Sequence, residues 1–149
     1  MKLAAIDPGA KGAICLIIGG APIFIDIKKD PIAAVREAKT YAPEIWIMEK
    51  VGAQRHDGVN SAFSFGQNVG QLEGAIDAPI FYVTPRTWQS WCGVYGAGKG
   101  KGTKRKAYDI CTTMLGPTLF TGPRGGVLDG RCDAFLIGQW WLENIFKKH

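Results

Sequence analysis

Short apolar runs separated by polar or glycine-containing positions dominate the first part of the chain. Residues 3–7, 12–18 and 22–27 are mostly apolar over lengths that suit β-strands, and runs of this kind indicate buried strands. Residues 19–21 read Gly-Gly-Ala, which favours a hairpin turn. The three runs therefore predict an antiparallel meander.

Helical and strand patterns alternate through the rest of the chain. Asp30 and Pro31 supply an N-cap and a first helical position, and helical spacing of apolar residues continues to Pro43. Buried strands are expected at residues 45–49 and 79–83. The other predicted elements are a polar loop at 50–58, an amphipathic helix at 59–76, a short helix at 85–91, a glycine-rich loop at 93–102, a helix at 104–115, a loop at 116–126 and a last helix at 128–146. Antiparallel strands followed by strands that alternate with helices predict an α/β fold with a five-stranded mixed sheet.

The predicted helix at 59–76 carries two stripes of residues. Gly66, Gly70 and Gly74 recur every four positions, and each glycine within a helix costs up to ~1 kcal/mol relative to alanine. We therefore expect another backbone, either the sheet or a second subunit, to approach this stripe closely. The apolar stripe of the same helix consists of Val59, Ala62, Phe63, Gly66, Val69, Leu72 and Ile76.

Length and composition are those of an ordinary folded protein. With 149 residues, 46% of them hydrophobic and 21% charged, the chain is expected to form one domain at 1–149 and not a disordered or fibrous protein. Its apolar runs are shorter than the ~20 residues that cross a bilayer, and the first run meets Asp7 too early for a signal peptide. We therefore expect a cytoplasmic protein with no membrane partner.

The net charge of +5 is unevenly distributed. Residues 84–131 contain eight basic and two acidic residues, a balance of +6, whereas the rest of the chain has ten basic and eleven acidic residues, a balance of −1. Basicity confined to one segment predicts a surface that faces a polyanion such as nucleic acid; the alternative is an ordinary solvated face. The candidate DNA contacts in this segment are Arg86, Lys99, Lys101, Lys104, Arg105, Lys106 and Arg131.

Two acidic residues end apolar runs. Asp7 ends the first run and precedes Pro-Gly, and Glu49 ends the fourth. In open α/β sheets the crevice at the carboxyl ends of strands binds ligands, so both carboxylates are candidate site residues. Each also has a structural alternative: Asp7 as a cap for the following turn, and Glu49 as the first solvated residue of its loop.

A second pair of acidic residues lies on the last predicted helix. Asp129 and Asp133 are four positions apart, on the stripe that continues through Leu136 and Trp140 toward the core. Like charges so placed destabilise a helix, more so when buried, so we expect a cationic group between them. The alternative makes Asp129 the helix N-cap, which leaves Asp133 unexplained. Asp129 and Asp133 could converge with Asp7 and Glu49 in the folded chain. Four carboxylates placed together would suit two Mg²⁺ or Mn²⁺ ions, and such an ion pair can hydrolyse a phosphodiester.

Five motifs follow one another along the chain. They are Ile6-Asp7-Pro8-Gly9 with Lys11-Gly12-Ala13, Met48-Glu49-Lys50-Val51, residues 60–67 with Gly70, Thr84-Pro85 with Trp88, and Asp129-Gly130-Arg131-Cys132-Asp133-Ala134. In this order they resemble RuvC-type Holliday junction resolvases, most closely the short phage-encoded members at residues 129–134. The resemblance covers nearly the whole chain.

The resemblance implies an RNase H-like fold and a homodimer. It implies an Mg²⁺-dependent endodeoxyribonuclease that resolves branched DNA, a four-way junction, by paired symmetric nicks, in the host cytoplasm if phage-encoded. It further implies that Asp7, Glu49, Asp129 and Asp133 are catalytic and bind two Mg²⁺ ions per active site, for which Mn²⁺ can substitute. A catalytic lysine near the start of the helix after the glycine-rich loop corresponds to Lys104, with Lys106 as the alternative.

Two features depart from bacterial members of that family. Gly52 stands where those members have an aromatic residue that contacts bases at the crossover. The surrounding loop, with Arg55 and His56, is therefore expected to contact DNA through charge and hydrogen bonds. The helical acids are spaced by four positions where bacterial members have three, which leaves open which carboxylate binds which ion.

Parts of the same sequence are also found in proteins of other functions. An actin-like or sugar-kinase ATPase also begins with a strand and an aspartate but needs two copies of this fold, and residues 96–103 lack the spacing of a P-loop. A non-catalytic nucleic-acid-binding module is disfavoured by the presence of all four acids. A nuclease of the same fold that acts on forks, flaps or RNA–DNA hybrids stays open, because it would use the same carboxylates.

Overall fold

The computed structural model describes residues 1–52, 58–96 and 101–149, without the side chain of Lys101. The strands are β1 (Lys2–Asp7), β2 (Ala13–Ile18), β3 (Ala21–Asp26), β4 (Ile45–Glu49) and β5 (Ile80–Val83). The helices are α1 (Pro31–Lys39), α2 (Val59–Ile76), α3 (Pro85–Cys92), α4 (Lys101–Leu115) and α5 (Asp129–Trp141), with a short 3₁₀ turn at Thr118–Phe120 and a π-helical turn at Leu142–Phe146.

The described strands form one mixed sheet in the order β3-β2-β1-β4-β5. The first three are antiparallel neighbours, whereas β1, β4 and β5 run parallel. The predicted five-stranded mixed sheet is thus confirmed. Ile6 pairs with Met48 across β1 and β4, so the carboxyl ends of these strands, at Asp7 and Glu49, lie side by side at one edge.

Local sequence signals explain the turn between β2 and β3 and the start of α1. Gly19 and Gly20 both have positive φ, at 57° and 84°, as a two-residue hairpin turn requires. The Asp30 side chain accepts a hydrogen bond of 3.0 Å from the Ala33 N–H, which confirms the predicted cap. Both features depend only on neighbouring residues, so they could be predicted without the fold.

Three predicted helix boundaries are wrong. The first helix ends at Lys39, and Ala42 already has a φ of +53°, so the chain leaves the helix before Pro43. The α4 helix starts at Lys101, three positions before the prediction, because the fold overrides the low helix propensity of glycine. The α5 helix ends at Trp141, and the π-helical turn replaces its predicted last residues.

Helices cover both faces of the sheet. One face packs against α3, α4 and α5, and the other against α1 and α2. The α5 helix is buried almost all round, including Leu136 and Ile137 at 0% exposure, as expected for its predicted core-facing stripe. Each of the four cysteines is a free thiol.

The first half of α2 does not pack on the core. Leu72 and Ile76 are buried, but Val59 is 86% exposed and Phe63 is 66% exposed. The apolar stripe of the predicted amphipathic helix is therefore exposed over this half and buried only toward its end. A Cβ added at any residue of the glycine stripe would meet no atom within 4 Å, so the sheet is not the close neighbour of that stripe, and a second subunit stays a prediction.

No helix in the described ranges combines the length and the apolar character needed to cross a membrane.

Candidate active site

Asp7 is the last residue of β1 and faces other acids. Its Oδ1 accepts a hydrogen bond of 3.1 Å from the Gly9 N–H, so it caps the following turn, as the structural alternative proposed. Burial nevertheless raises the pKa of Asp7 to about 6; the Gly9 bond lowers it, and the negative charge of Asp129 raises it further. The residue is thus both a turn cap and part of a charged cluster.

Glu49, at the end of β4, accepts a hydrogen bond from the indole of Trp88. The Nε1–H of Trp88 donates a hydrogen bond of 2.6 Å to Glu49 Oε2. Burial raises the pKa of Glu49 to about 7, the charge of Asp7 adds to this rise, and the bond from Trp88 opposes it. Glu49 is therefore a half-buried, fixed carboxylate rather than a solvated loop residue.

Asp129 and Asp133 complete the group from the start of α5. The N-cap of this helix is Leu128, so the alternative that made Asp129 the cap is wrong. Asp129 Oδ2 instead lies 3.2 Å from Lys104 Nζ, so a cation contacts this member of the pair, and a cationic group between Asp129 and Asp133 stays a prediction. Burial raises the pKa of Asp133 well above its usual range, and the charges of the other three acids raise it further.

The four predicted acids are therefore brought together at one edge of the sheet. We call this group the acidic crevice; its members are Asp7, Glu49, Asp129 and Asp133. Their oxygens are donors that Mg²⁺ and Mn²⁺ prefer. Burial raises the pKa values of Asp7, Glu49 and Asp133, and the negative charge of neighbouring acids, which a bound cation would neutralise, raises them further. In the part of the chain that the structure describes, no three Asp, Glu, His or Cys side chains are already arranged around one metal position.

Two glycines let α5 approach the turn after β1. A Cβ on Gly130 would lie 2.1 Å from the carbonyl oxygen of Lys11 and 2.7 Å from Gly12 Cα, and a Cβ on Gly12 would lie 2.0 Å from the carbonyl oxygen of Asp7. Only glycine fits such a contact between backbones. Because Gly130 directly follows Asp129, this contact brings the first helical acid close to the turn that follows Asp7.

Lys104 contacts the acidic crevice directly. Besides its ion pair with Asp129, its charge lowers the pKa of Asp7. Burial raises the pKa of the Cys92 thiol, and the charge of Lys106 acts there, against this rise, and not on the three acids whose pKa values are raised. Of the two lysines left open by the sequence, the structure favours Lys104 as the one beside the carboxylates.

Other predicted DNA contacts lie on the surface. Arg86, Arg105 and Lys106 are exposed; the Arg86 guanidinium lies 5.5 Å from the ring centre of Tyr95, and Arg105 Nε lies 3.1 Å from Asp109 Oδ1. Exposed cationic and aromatic groups of this kind suit contacts with phosphates and bases. The predictions at Arg55 and Lys99, and at the side chain of Lys101, lie outside the described residues.

Arg131 differs from these residues because its guanidinium is used inside the protein. Its Nε and Nη2 donate to the two carboxylate oxygens of Asp26 at 2.8 and 2.9 Å, and Nη1 donates to the Leu119 carbonyl at 3.1 Å. The same group lies over the ring of Phe24. Arg131 therefore ties α5 to β3, and its predicted DNA contact stays a prediction.

The motifs quoted from the sequence contain Gly12, Gly130 and Trp88, but no structural or functional role was predicted for any of the three. The glycines occur within quoted motifs, and a glycine in the first turn of a helix is a recognisable sign of close approach. The contact between Trp88 and Glu49 has no such sign, since the two residues are 39 positions apart.

A mixed sheet of this order, with acids at the carboxyl ends of β1 and β4 and helices on both faces, has the RNase H-like fold. Two solved structures of Thermus thermophilus RuvC are similar to this chain, one of them in complex with a Holliday junction substrate. Each comparison covers 96% of both chains with a TM-score of 0.59, at 15% identity for the complex and 19% for the other structure. No family model and no curated protein matches the sequence. The predicted fold is therefore confirmed by structure.

Proposed function

We propose that this protein is a divalent-metal-dependent endodeoxyribonuclease that resolves four-way DNA junctions by paired symmetric nicks. The observation that carries the proposal is the acidic crevice: four electrostatically coupled carboxylates, two at strand ends and two at the start of α5, in a fold shared with RuvC. The RuvC structure with a Holliday junction substrate supports branched DNA as the substrate class.

In this proposal Asp7, Glu49, Asp129 and Asp133 hold two Mg²⁺ ions, or Mn²⁺ in their place. Bound ions of this kind activate a water molecule and stabilise the leaving 3′ oxygen of a phosphodiester. The protein contributes a defined backbone. The parallel pairing of β1 with β4 places the backbone of Asp7 beside that of Glu49, and the contact of Gly130 places the start of α5 against the turn after β1.

Lys104 is the proposed catalytic lysine. Its side chain is 63% exposed, so it can reach a DNA phosphate while remaining beside Asp129. A fixed cation at this place offsets the charge that develops on the scissile phosphate. The exposed residues Arg86, Arg105 and Lys106 would bind the phosphate backbone without reading sequence, together with the predicted contacts Arg55, Lys99 and Lys101.

A homodimer supplies the two active sites that paired nicks require. The exposed half of α2 is a candidate interface, since it presents Val59 and Phe63 to solvent and has open space over Gly66, Gly70 and Gly74. Small residues allow two helices to approach closely, and a two-fold axis matches the symmetry of a junction. Sedimentation should give twice the monomer mass; a monomer both free and on a junction would contradict paired nicking.

A cleavage assay on four substrates tests the function. With Mg²⁺, the protein should cut a four-way junction faster than a Y-fork, a linear duplex or an RNA–DNA hybrid. Asp7→Asn, Glu49→Gln and Asp133→Asn should each abolish cleavage but retain junction binding. Asp109→Asn is the matched control, because this carboxylate is exposed on α4 and paired with Arg105.

Each contrary result has a definite meaning. Faster cutting of forks or hybrids would assign a different substrate to the same crevice. Binding with no cleavage of any substrate would indicate a non-catalytic module. Near-normal cleavage by one of the three carboxylate variants would remove that residue from the site.

A further inference from the structure

Trp88 connects α3 to the acidic crevice. Its side chain is fully buried, at 0% exposure, among the apolar residues that lie between the sheet and α5. Its one polar atom, Nε1, donates the 2.6 Å hydrogen bond to Glu49 Oε2. The indole has one N–H donor and no acceptor, so the bond to Glu49 satisfies its whole hydrogen-bonding capacity. A hydrogen bond to a carboxylate is also stronger than one to a neutral acceptor.

The backbone around this contact leaves Trp88 little freedom. Val83 pairs with Glu49 between β5 and β4, and Thr84 caps α3 by accepting a hydrogen bond of 3.3 Å from the Thr87 N–H. Pro85 occupies the first helical position, where its fixed φ suits a helix start. The short path from Val83 to α3 therefore carries the indole directly to the side chain of Glu49.

A second buried tryptophan shows that the core alone does not require such a bond. Trp141 is 7% exposed, and its Nε1 is buried without a hydrogen-bond partner among the described residues. Both indoles belong to the same apolar cluster. The acceptor for Trp88 is thus a specific feature of the site, and Trp141 provides a matched control.

We propose that Trp88 is a positioning residue for the nuclease: its indole N–H holds Glu49 Oε2 and so orients the carboxylate for metal binding. This inference rests on the proposed function. Groups that bond to metal ligands commonly change metal affinity or activity by roughly 10–100-fold when removed. Trp88 acts through Glu49 and does not itself contact the metal or DNA.

Trp88→Phe and Trp141→Phe separate positioning from packing. Each variant keeps an aromatic ring in the core and removes one indole N–H, but only the first removes a hydrogen bond. Trp88→Phe should require roughly 10–100-fold more Mg²⁺ for half-maximal junction cleavage, whereas Trp141→Phe should keep the wild-type requirement. An equal change in both variants would reduce Trp88 to a packing residue.

Metal binding without turnover provides a second readout. Ions that bind the folded state raise its melting temperature, so the Mn²⁺ concentration that produces a given rise should be higher for Trp88→Phe than for wild type. In a Glu49→Ala background, which lacks the acceptor of the indole N–H, Trp88→Phe should cause no further change. A further shift in that background would show that Trp88 acts by another route.

Wild-type protein alone gives a test that holds even if Trp88→Phe fails to fold. In ¹H–¹⁵N spectra, Mg²⁺ should shift the indole N–H resonance of Trp88 and leave that of Trp141 in place. An unmoved Trp88 resonance would overturn the proposal. If wild type cleaves no nucleic acid, the proposed function fails, while the Mn²⁺ and Mg²⁺ titrations still decide whether Trp88 positions Glu49.

Discussion

Substitution of Gly130 by alanine places a methyl group where α5 meets the turn after β1. The added Cβ would lie 2.1 Å from the Lys11 carbonyl oxygen and 2.7 Å from Gly12 Cα. Both are backbone atoms, so rotation of a side chain cannot relieve the overlap. The start of α5 must move away from the sheet, carrying Asp129 and Asp133 with it.

The size of this movement follows from the overlap. Real Cβ atoms essentially never come closer than 3.0 Å to such neighbours, so the helix start must shift by roughly 1 Å to approach ordinary contact. Overpacking of this kind costs about 1–3 kcal/mol of stability. A displacement of about 1 Å at a reacting centre can lower the rate roughly 100-fold. We therefore expect Gly130→Ala to fold, to bind junctions, and to cleave them roughly 100-fold more slowly.

Gly138→Ala is the control, because it adds a methyl group to the same helix away from the acids. Its Cβ would lie 2.7 Å from Ile17 Cδ1, the end of a flexible side chain, and 3.3 Å from Ala5 Cβ. This variant should lose stability and keep its cleavage rate. Single-turnover cleavage at saturating Mg²⁺ and urea unfolding should be measured on both variants.

Two results would refute the reasoning about Gly130. A wild-type cleavage rate for Gly130→Ala would show that this contact does not set the geometry of the acidic crevice. An equal loss of cleavage in Gly138→Ala would show that the rate follows overall stability and not the position of Asp129 and Asp133.

Two further predictions concern charge at the same site. Lys104→Ala should lower turnover more than junction affinity, whereas Lys106→Ala should weaken binding alone; a loss of affinity only in Lys104→Ala would contradict its catalytic role. The pKa of Asp7 rises from its ordinary 3.8 to about 6, and that of Glu49 from 4.5 to about 7. Between the ordinary and the raised pKa of each residue, the folded state holds more protons than the unfolded state. The free energy of unfolding therefore falls as pH rises through this range. Without divalent ions, the melting temperature should therefore fall as pH rises through this range, less steeply in Asp7→Asn than in Asp109→Asn. Equal slopes in the two variants would mean that folding does not raise the pKa of Asp7.

Local signals in the sequence determined most of the elements and four acids of the site. A glycine pair specifies the turn between β2 and β3, and Asp30 specifies the start of α1, because each acts on neighbouring backbone groups. Asp7 and Glu49 stand out because each ends an apolar run, and the two helical acids because their spacing places both on a core-facing stripe. These features required no knowledge of which elements pack together.

The tertiary structure decided which partners those residues have. The pairing of β1 with β4, the bond from Trp88 to Glu49 and the ion pair of Arg131 with Asp26 join residues far apart in the chain. Periodicity likewise marked Phe63 as apolar but did not reveal that the sheet leaves it uncovered. Hydrophobic spacing indicates that a face can be buried, whereas the packing of the whole chain determines what covers it. The same packing brings the Gly130 backbone against Lys11, and that contact, not the spacing of the acids, sets how closely α5 approaches Asp7.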